Sequence, residues 1–347
     1  MRFEPAPEYE VFPTKGRQLK PYEAAVRAAG ETQPLIRDVN PDVVVADILT
    51  VAAALAAELE GRPWATLVPH VMPLSEPGFP PYSIGARLPR TPLGSALWRL
   101  TDPIVRLGIE RGRVELNETR KRLGLAPLDH VHGGMSRELA IVATFPQLEY
   151  PRHTSWPWMR VTGPLIYERP TEDVELPPGE EPLVLVAPST SQDTEQRMLR
   201  TSLAGLAGEP VRVLATTNVR GDASVAGAVP DNARVVDWLS YERVMPHCAA
   251  VVCHAGHGTV MRALSCGVPL VACPAAGDMA ENAARVTWAG VGVSLPRRLV
   301  SARGIKLAVR RLLADDSYTA RTRDLAAWAE RNDGSKRAAD VMEDFTA

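Results

Sequence analysis

The chain has no surplus of charge of either sign. Its 39 Lys and Arg face 41 Asp and Glu across 347 residues, leaving a formal net charge of −2. Without a broad basic field, a nucleic-acid partner is not expected. Long apolar runs are also missing: none approaches the ~18 residues of a membrane span. The opening segment MRFEPAPEYEVFP has no apolar signal-peptide core, so a cytoplasmic location is expected. Cysteine is scarce, and the four thiols, Cys248, Cys253, Cys266 and Cys273, crowd into one stretch without CxxC spacing. That pattern argues against a disulfide framework. It also argues against a zinc site, even with His247, His254 and His257 nearby, and reads as free buried thiols.

What is present is an alternating α/β rhythm. The patterning predicts a helix over Pro21–Arg37, a strand over Asp42–Asp47, a helix over Thr50–Glu60 and a strand over Trp64–Val68. Pro69–Pro92 is too rich in Pro and Gly for either element. Leu93–Leu123 returns to one long helical pattern, with Arg87, Arg90, Arg99, Arg106, Arg111 and Arg113 read as a solvated face, and Leu139–Thr144 as a strand. A weak peripheral contact with anionic lipid is a secondary expectation for those arginines. The acidic, proline-rich stretch 169–182 reads as a linker. Beyond it, strands are predicted over Leu183–Val186, Val211–Ala215, Ala233–Trp238, Ala249–Cys253 and Val268–Cys273, and helices over Arg303–Ala314 and Tyr318–Arg331. The expected organisation is an α/β domain over 1–168, a linker over 169–182 and a second α/β domain over 183–347.

The most informative stretch is VVCHAGHGTVMRALSCGVPLVACPAAGDMAEN, from Val251 to Asn282. An apolar strand runs into His254-Ala255-Gly256-His257-Gly258-Thr259, and a helical pattern follows at once from Val260. Backbone N–H groups and the positive end of a helix dipole converge on such a turn, which makes it a place for an anion. A tight strand-to-helix connection with no ligand gives a similar string. The downstream half favours the ligand: Val268–Pro274 reads as a buried parallel strand and Gly277–Asn282 as a polar loop opening another helix. Two adjacent strands would then end in ligand-competent loops on one sheet edge.

These residues, HAGHGT, GVPLVACP, GDMAEN and Trp288-Ala289-Gly290-Val291-Gly292, resemble the donor-binding signature of family 1 type nucleotide-sugar glycosyltransferases of the GT-B fold, two Rossmann-like domains facing a cleft. The likeness is to the bacterial UDP- and dTDP-sugar enzymes that glycosylate macrolides and glycopeptides. It extends upstream to Val235–Tyr241 with Met245-Pro246-His247, and to Leu183–Thr190. The resemblance implies that Trp238 stacks on the pyrimidine base while the backbone of Leu239 and Ser240 reads its edge. Ser189, Thr190, His254, Gly256, Gly258 and Thr259 would hold the diphosphate, Asp278 and Asn282 the sugar and its surroundings, and His257 would belong to the same donor site. Two positions depart from the family pattern. Arg262 stands where a glutamate usually takes the ribose hydroxyls, which leaves UDP and dTDP donors both open. Met279 stands where a glutamine often bonds the hexose.

The resemblance implies transfer of a hexose, with inversion, to a hydroxyl of a small lipophilic acceptor. No cofactor or metal is implied, because helix N–H groups and His254 meet the leaving diphosphate. In the family the base is a histidine after the first strand, paired with an aspartate; Asp47 matches the aspartate, but none of the seven histidines precedes it. Two readings follow: either the chain begins after the first βα units, so that its N-terminal domain is incomplete, or another residue, with His70 nearest, serves as base. Both residues also have plain readings, Asp47 as a helix cap and His70 as a loop or acceptor-pocket histidine. Trp238 could equally be core. Phe79, Tyr82, Trp98, Tyr150, Trp156 and Trp158 would line an acceptor pocket or simply fill domain contacts. The rival functions are a non-catalytic nucleotide-sugar-binding helper and a sugar-nucleotide epimerase of the same fold.

Overall fold

The computed structural model describes residues 23–129, 134–168, 171, 173–189, 195–225, 227–275 and 277–347. The opening segment and Thr190 lie outside the described residues.

The first sheet is built from the Val- and Ala-rich runs of the N-terminal half. Its elements in order are α1 (Glu23–Val39), β1 (Val44–Asp47), α2 (Val51–Leu59), β2 (Trp64–Val68), α3 (Pro92–Arg99), α4 (Asp102–Arg122), β3 (Ala140–Val142) and β4 (Met159–Val161). The four strands are parallel in the order β1-β2-β3-β4. Where one helix was expected over Leu93–Leu123, the chain breaks at Leu100-Thr101 and restarts with Pro103 in the first turn of α4. Proline cannot donate to the preceding turn, and its ring crowds the residue before it. The exposed face of this pair is not purely basic: Leu93, Leu97, Leu100, Ile104 and Leu107 share it with the arginines.

The second sheet carries β5 (Leu183–Ala187), α5 (Arg197–Leu206), β6 (Arg212–Thr216), β7 (Ala233–Val236), α6 (Tyr241–Val244), β8 (Ala250–Cys253), α7 (His257–Ser265), β9 (Leu270–Ala272), α8 (Asp278–Ala289) and β10 (Gly292–Ser294). Its six strands are parallel in the order β10-β9-β8-β5-β6-β7. The strand order therefore reverses between β5 and β8, and loops leaving the carboxyl ends of those two strands diverge to opposite faces and open a crevice. β5 is buried along its whole length. Leu183, Leu185 and Ala187 join one core with Leu214, Val251 and Cys253, while Val184 and Val186 join another with Leu199, Leu203 and Val213. Helices cover both faces, which is why these strands read as unbroken apolar runs rather than alternating ones.

Three helices close the chain: α9 (Ala302–Ala314), α10 (Asp316–Arg331) and α11 (Gly334–Thr346). The last leaves the second sheet and packs on the first, where Ala338, Val341, Met342 and Phe345 meet Ala65, Leu139 and Ile141. A buried charge network adds a second tie between the halves. Arg285 on α8 pairs with Glu281 at 2.9 Å, donates to the Leu148 carbonyl at 3.0 Å and lies 3.9 Å from Glu149. Glu149 in turn accepts from the Met72 N–H at 2.7 Å and pairs with Arg152 at 3.4 Å. Three of the aromatics named above, Phe79, Tyr150 and Trp156, gather beside this network. Tyr150 meets Phe79 and Trp288 edge-on at 6.0 and 5.0 Å between ring centres, and Arg152 lies over Phe79 and Trp156.

Candidate active site

The site forms where β5 and β8 end side by side. Ser189, two residues past β5, donates its backbone N–H to Nδ1 of His254, the residue after β8, at 3.0 Å. An accepting Nδ1 leaves the ring proton on Nε2. Ala255 follows in a left-handed conformation, φ 60°, which costs a non-glycine residue about 1–2 kcal/mol. Asn282 of α8, buried, holds that strained peptide by donating to the Ala255 carbonyl at 3.0 Å. The turn then enters α7 three residues earlier than the apolar pattern indicated, at His257, because Gly256 and the residues after it carry no periodic apolar signal.

No side chain caps α7, whose N-cap is Gly256 at φ −58°. That φ suits any residue, and a Cβ at Gly256 or Gly258 would meet nothing within 4 Å. Neither strain nor packing explains the two glycines. What they preserve is open space in front of unpaired helix N–H groups, and an anion fits there.

This cradle opens into a cavity of about 770 Å³. Ser189, Trp238, Leu239, His254, Gly256, His257, Gly258 and Thr259 all line it. Trp238 is half-buried rather than core, and the Arg220 guanidinium lies over its ring at 4.6 Å. Asp237 organises that corner by accepting from the Gly221 N–H at 2.7 Å and the Trp238 N–H at 2.8 Å. Those two backbone donors hold its carboxyl below the usual range. Ser240 does not line the cavity, and its hydroxyl caps α6 by accepting from Arg243 N–H at 3.2 Å. Asp278 accepts from Asn282 at 3.5 Å and, like Asn282, does not line the cavity. Asn282 thus shapes the turn from behind. Met279 does line the cavity.

The N-terminal half contributes to the same region through His70. Nδ1 of His70 donates to the Val71 carbonyl at 2.8 Å and lies 3.2 Å from the Tyr82 hydroxyl, which leaves the lone pair on Nε2. His257, across the cleft, bonds the Ala143 carbonyl just beyond β3, and the charge of His70 is one that it senses. His257 donates Nε2–H to the Ala143 carbonyl at 2.8 Å, and its Nδ1 is buried without a partner. Burial, first, and the charge of His70 push His257 down to about 4, keeping the ring neutral. Among the described residues no bond joins Asp47 to His70, and the Asp47 carboxylate accepts from Leu49 N–H at 2.8 Å at the entry to α2.

Sequence reasoning missed Asn218, Arg220, Tyr241 and Glu168, which also line the cavity. Asn218 and Arg220 follow β6 on the same carboxyl edge as the rest, so topology could have found them. Glu168 carried no signal beyond membership of an acidic stretch. Its carboxylate pairs with Arg262 at 3.5 Å and accepts from Glu242 N–H at 3.0 Å. The thiols take no part: Cys253 is buried, and burial pushes it up to about 12.

Two parallel sheets, with a nucleotide-sized crevice at the reversal point of the second, define the GT-B class, and comparison with known proteins agrees. Residues 198–339 match the family described as erythromycin biosynthesis protein CIII-like, C-terminal domain. The chain is 32% identical over 306 residues to 4'-demethylrebeccamycin synthase of Lentzea aerocolonigenes, an alignment spanning 84% of this chain and 71% of that protein. Among solved structures it resembles the calicheamicin glycosyltransferase CalG4, with TM-score 0.70 and 24% identity over 93% of this chain and 80% of that one. It also resembles the glycosyltransferase VinC in complex with dTDP, with TM-score 0.64 and 17% identity over 94% and 80%. The chain belongs to the family 1 type GT-B glycosyltransferases and is similar to bacterial members of that family. Among the described residues no helix is long and apolar enough to cross a membrane.

Proposed function

We propose that the chain transfers a hexose from a UDP- or dTDP-activated donor, with inversion, to a hydroxyl of a small lipophilic acceptor. The observation that carries this reading is the uncapped α7 N-terminus, fronted by two glycines that no internal contact requires, in one cavity with Trp238. The diphosphate sits at the helix terminus and the base on the tryptophan ring, and the neighbour VinC is seen with a nucleoside diphosphate of this kind. In the transfer, the acceptor oxygen forms a bond to the anomeric carbon while the bond from that carbon to the diphosphate oxygen breaks. The electron pair leaves with the nucleoside diphosphate, which the α7 N–H groups and Nε2–H of His254 stabilise in place of a cation. The acceptor proton goes to Nε2 of His70, whose Nδ1 is already committed to Val71. Asp47 serves the entry to α2 in this scheme. The setting we propose is cytoplasmic.

The test is turnover of UDP- and dTDP-hexoses with a panel of phenolic and aliphatic acceptors. Glycosylated product of opposite anomeric configuration supports the proposal. Donor binding without product in any combination points to a helper protein, and donor isomerisation without acceptor to an epimerase. His70→Gln should lower turnover about 100-fold or more with donor affinity unchanged.

A further inference from the structure

Glu168 holds an unexplained atom. It lies on the strap that leaves the first sheet after β4, and it lines the donor cavity. One carboxylate oxygen, Oε2, accepts from Glu242 N–H at 3.0 Å and meets the Arg262 guanidinium at 3.5 Å. The other, Oε1, is buried with no hydrogen-bond partner. A buried carboxylate oxygen left without a donor is costly, and such groups in native proteins call for a reason.

The two contacts place this carboxylate. Glu242 sits in α6, which follows Trp238 closely in the chain, and Arg262 sits in α7, whose N-terminus faces the cradle. Glu168 therefore bridges the element that follows the base site and the helix that receives the diphosphate. In a nucleoside diphosphate the group between base and diphosphate is the pentose, and its hydroxyls are donors. Arg262 offers only donors itself and cannot receive them. Paired to Glu168, with both side chains largely buried, it fixes the carboxylate instead. The terminal carboxylate torsion is broad and roughly two-fold, so a small rotation presents the unpartnered oxygen to the cavity.

Building on the donor-site reading above, we propose that Glu168 accepts a hydrogen bond from a pentose hydroxyl of the nucleotide, with Arg262 as its positioning residue. The proposal puts a nucleotide-recognition group on the strap between the two halves, outside the glycine turn and its helix.

The experiment is calorimetric titration of UDP, dTDP and 2',3'-dideoxythymidine diphosphate into the full chain and into Glu168→Ala. Wild type should bind dTDP about 10- to 100-fold more tightly than the dideoxy analogue, and Glu168→Ala should bind the two equally. Glu168→Gln, which keeps the side-chain shape, should fall between them, and it serves if the alanine variant does not fold. Arg262→Met should reduce the discrimination without abolishing it. An undiminished preference for dTDP in the Glu168 variants overturns this inference while leaving the donor site standing. No binding of any nucleotide by wild type overturns both.

Discussion

The backbone N–H of Ser189 donates to Nδ1 of His254 at 3.0 Å, joining the two strands between which the order of the second sheet reverses. One hydrogen bond thereby sets both the position and the tautomer of the imidazole at the mouth of the cradle. The polar machinery is prepared by backbone geometry before any ligand arrives, which is the condition for stabilising developing charge without reorganisation.

The glycines of the turn separate folding from binding. Gly258 lies in the first turn of α7, and a side chain there would point into open space. Gly258→Leu should leave the thermal midpoint unchanged or raise stability by up to about 1 kcal/mol, since leucine is the better helix former. The same variant should lose nucleoside diphosphate binding by tenfold or more, because its side chain fills the cradle. Scanning calorimetry and titration on one preparation give both numbers.

His257 makes the fold sensitive to acid. Burial depresses its pKa from 6.5 to about 4, so as pH falls the unfolded chain takes up a proton before the folded chain does. The contribution of this ring is complete above about pH 6.5 and is lost progressively between there and about pH 4. Urea midpoints should therefore drop between pH 7.5 and 5.0. The drop should be smaller in His257→Gln, which has nothing to protonate.

The charge network between the halves should be intolerant of single changes. Glu281 and Arg285 are each only 3% exposed. Arg285→Met leaves the Glu281 carboxylate buried without its partner and should cost about 3–5 kcal/mol in urea unfolding. Adding Glu281→Leu removes the stranded charge and should recover part of that loss.

Much of this architecture can be read in the residues themselves. The fully buried strands β5 and β8 appear as apolar runs, and β2 falls over Trp64–Val68 as its composition indicates. Short or polar elements are harder. β4 is three half-buried or exposed residues, Met-Arg-Val, with no run to mark it. The first turn of α7 is hidden by its glycines, and the break before α4 depends on one proline. In the site, Trp238, His254 and the glycines are local to motifs, and the structure brings them to one cavity. Arg262 stands out as a departure, but its partner Glu168 comes from a distant strap, and nothing in local sequence ties the two. His70 and Asp47 sit at neighbouring strand ends, and only their partners distinguish them: His70 bonds Val71 and Tyr82, and Asp47 the entry to α2.

The account rests on the cavity between Trp238 and the α7 N-terminus being a nucleoside diphosphate site. Titrating dTDP and UDP into wild type, His254→Ala and Trp238→Ala tests it most directly. The account predicts saturable one-to-one binding by wild type and a loss of about tenfold or more in each variant, from the charge-assisted bond in one and the stacking surface in the other. Equal and negligible heats from all three proteins, or full affinity in both variants, would contradict it.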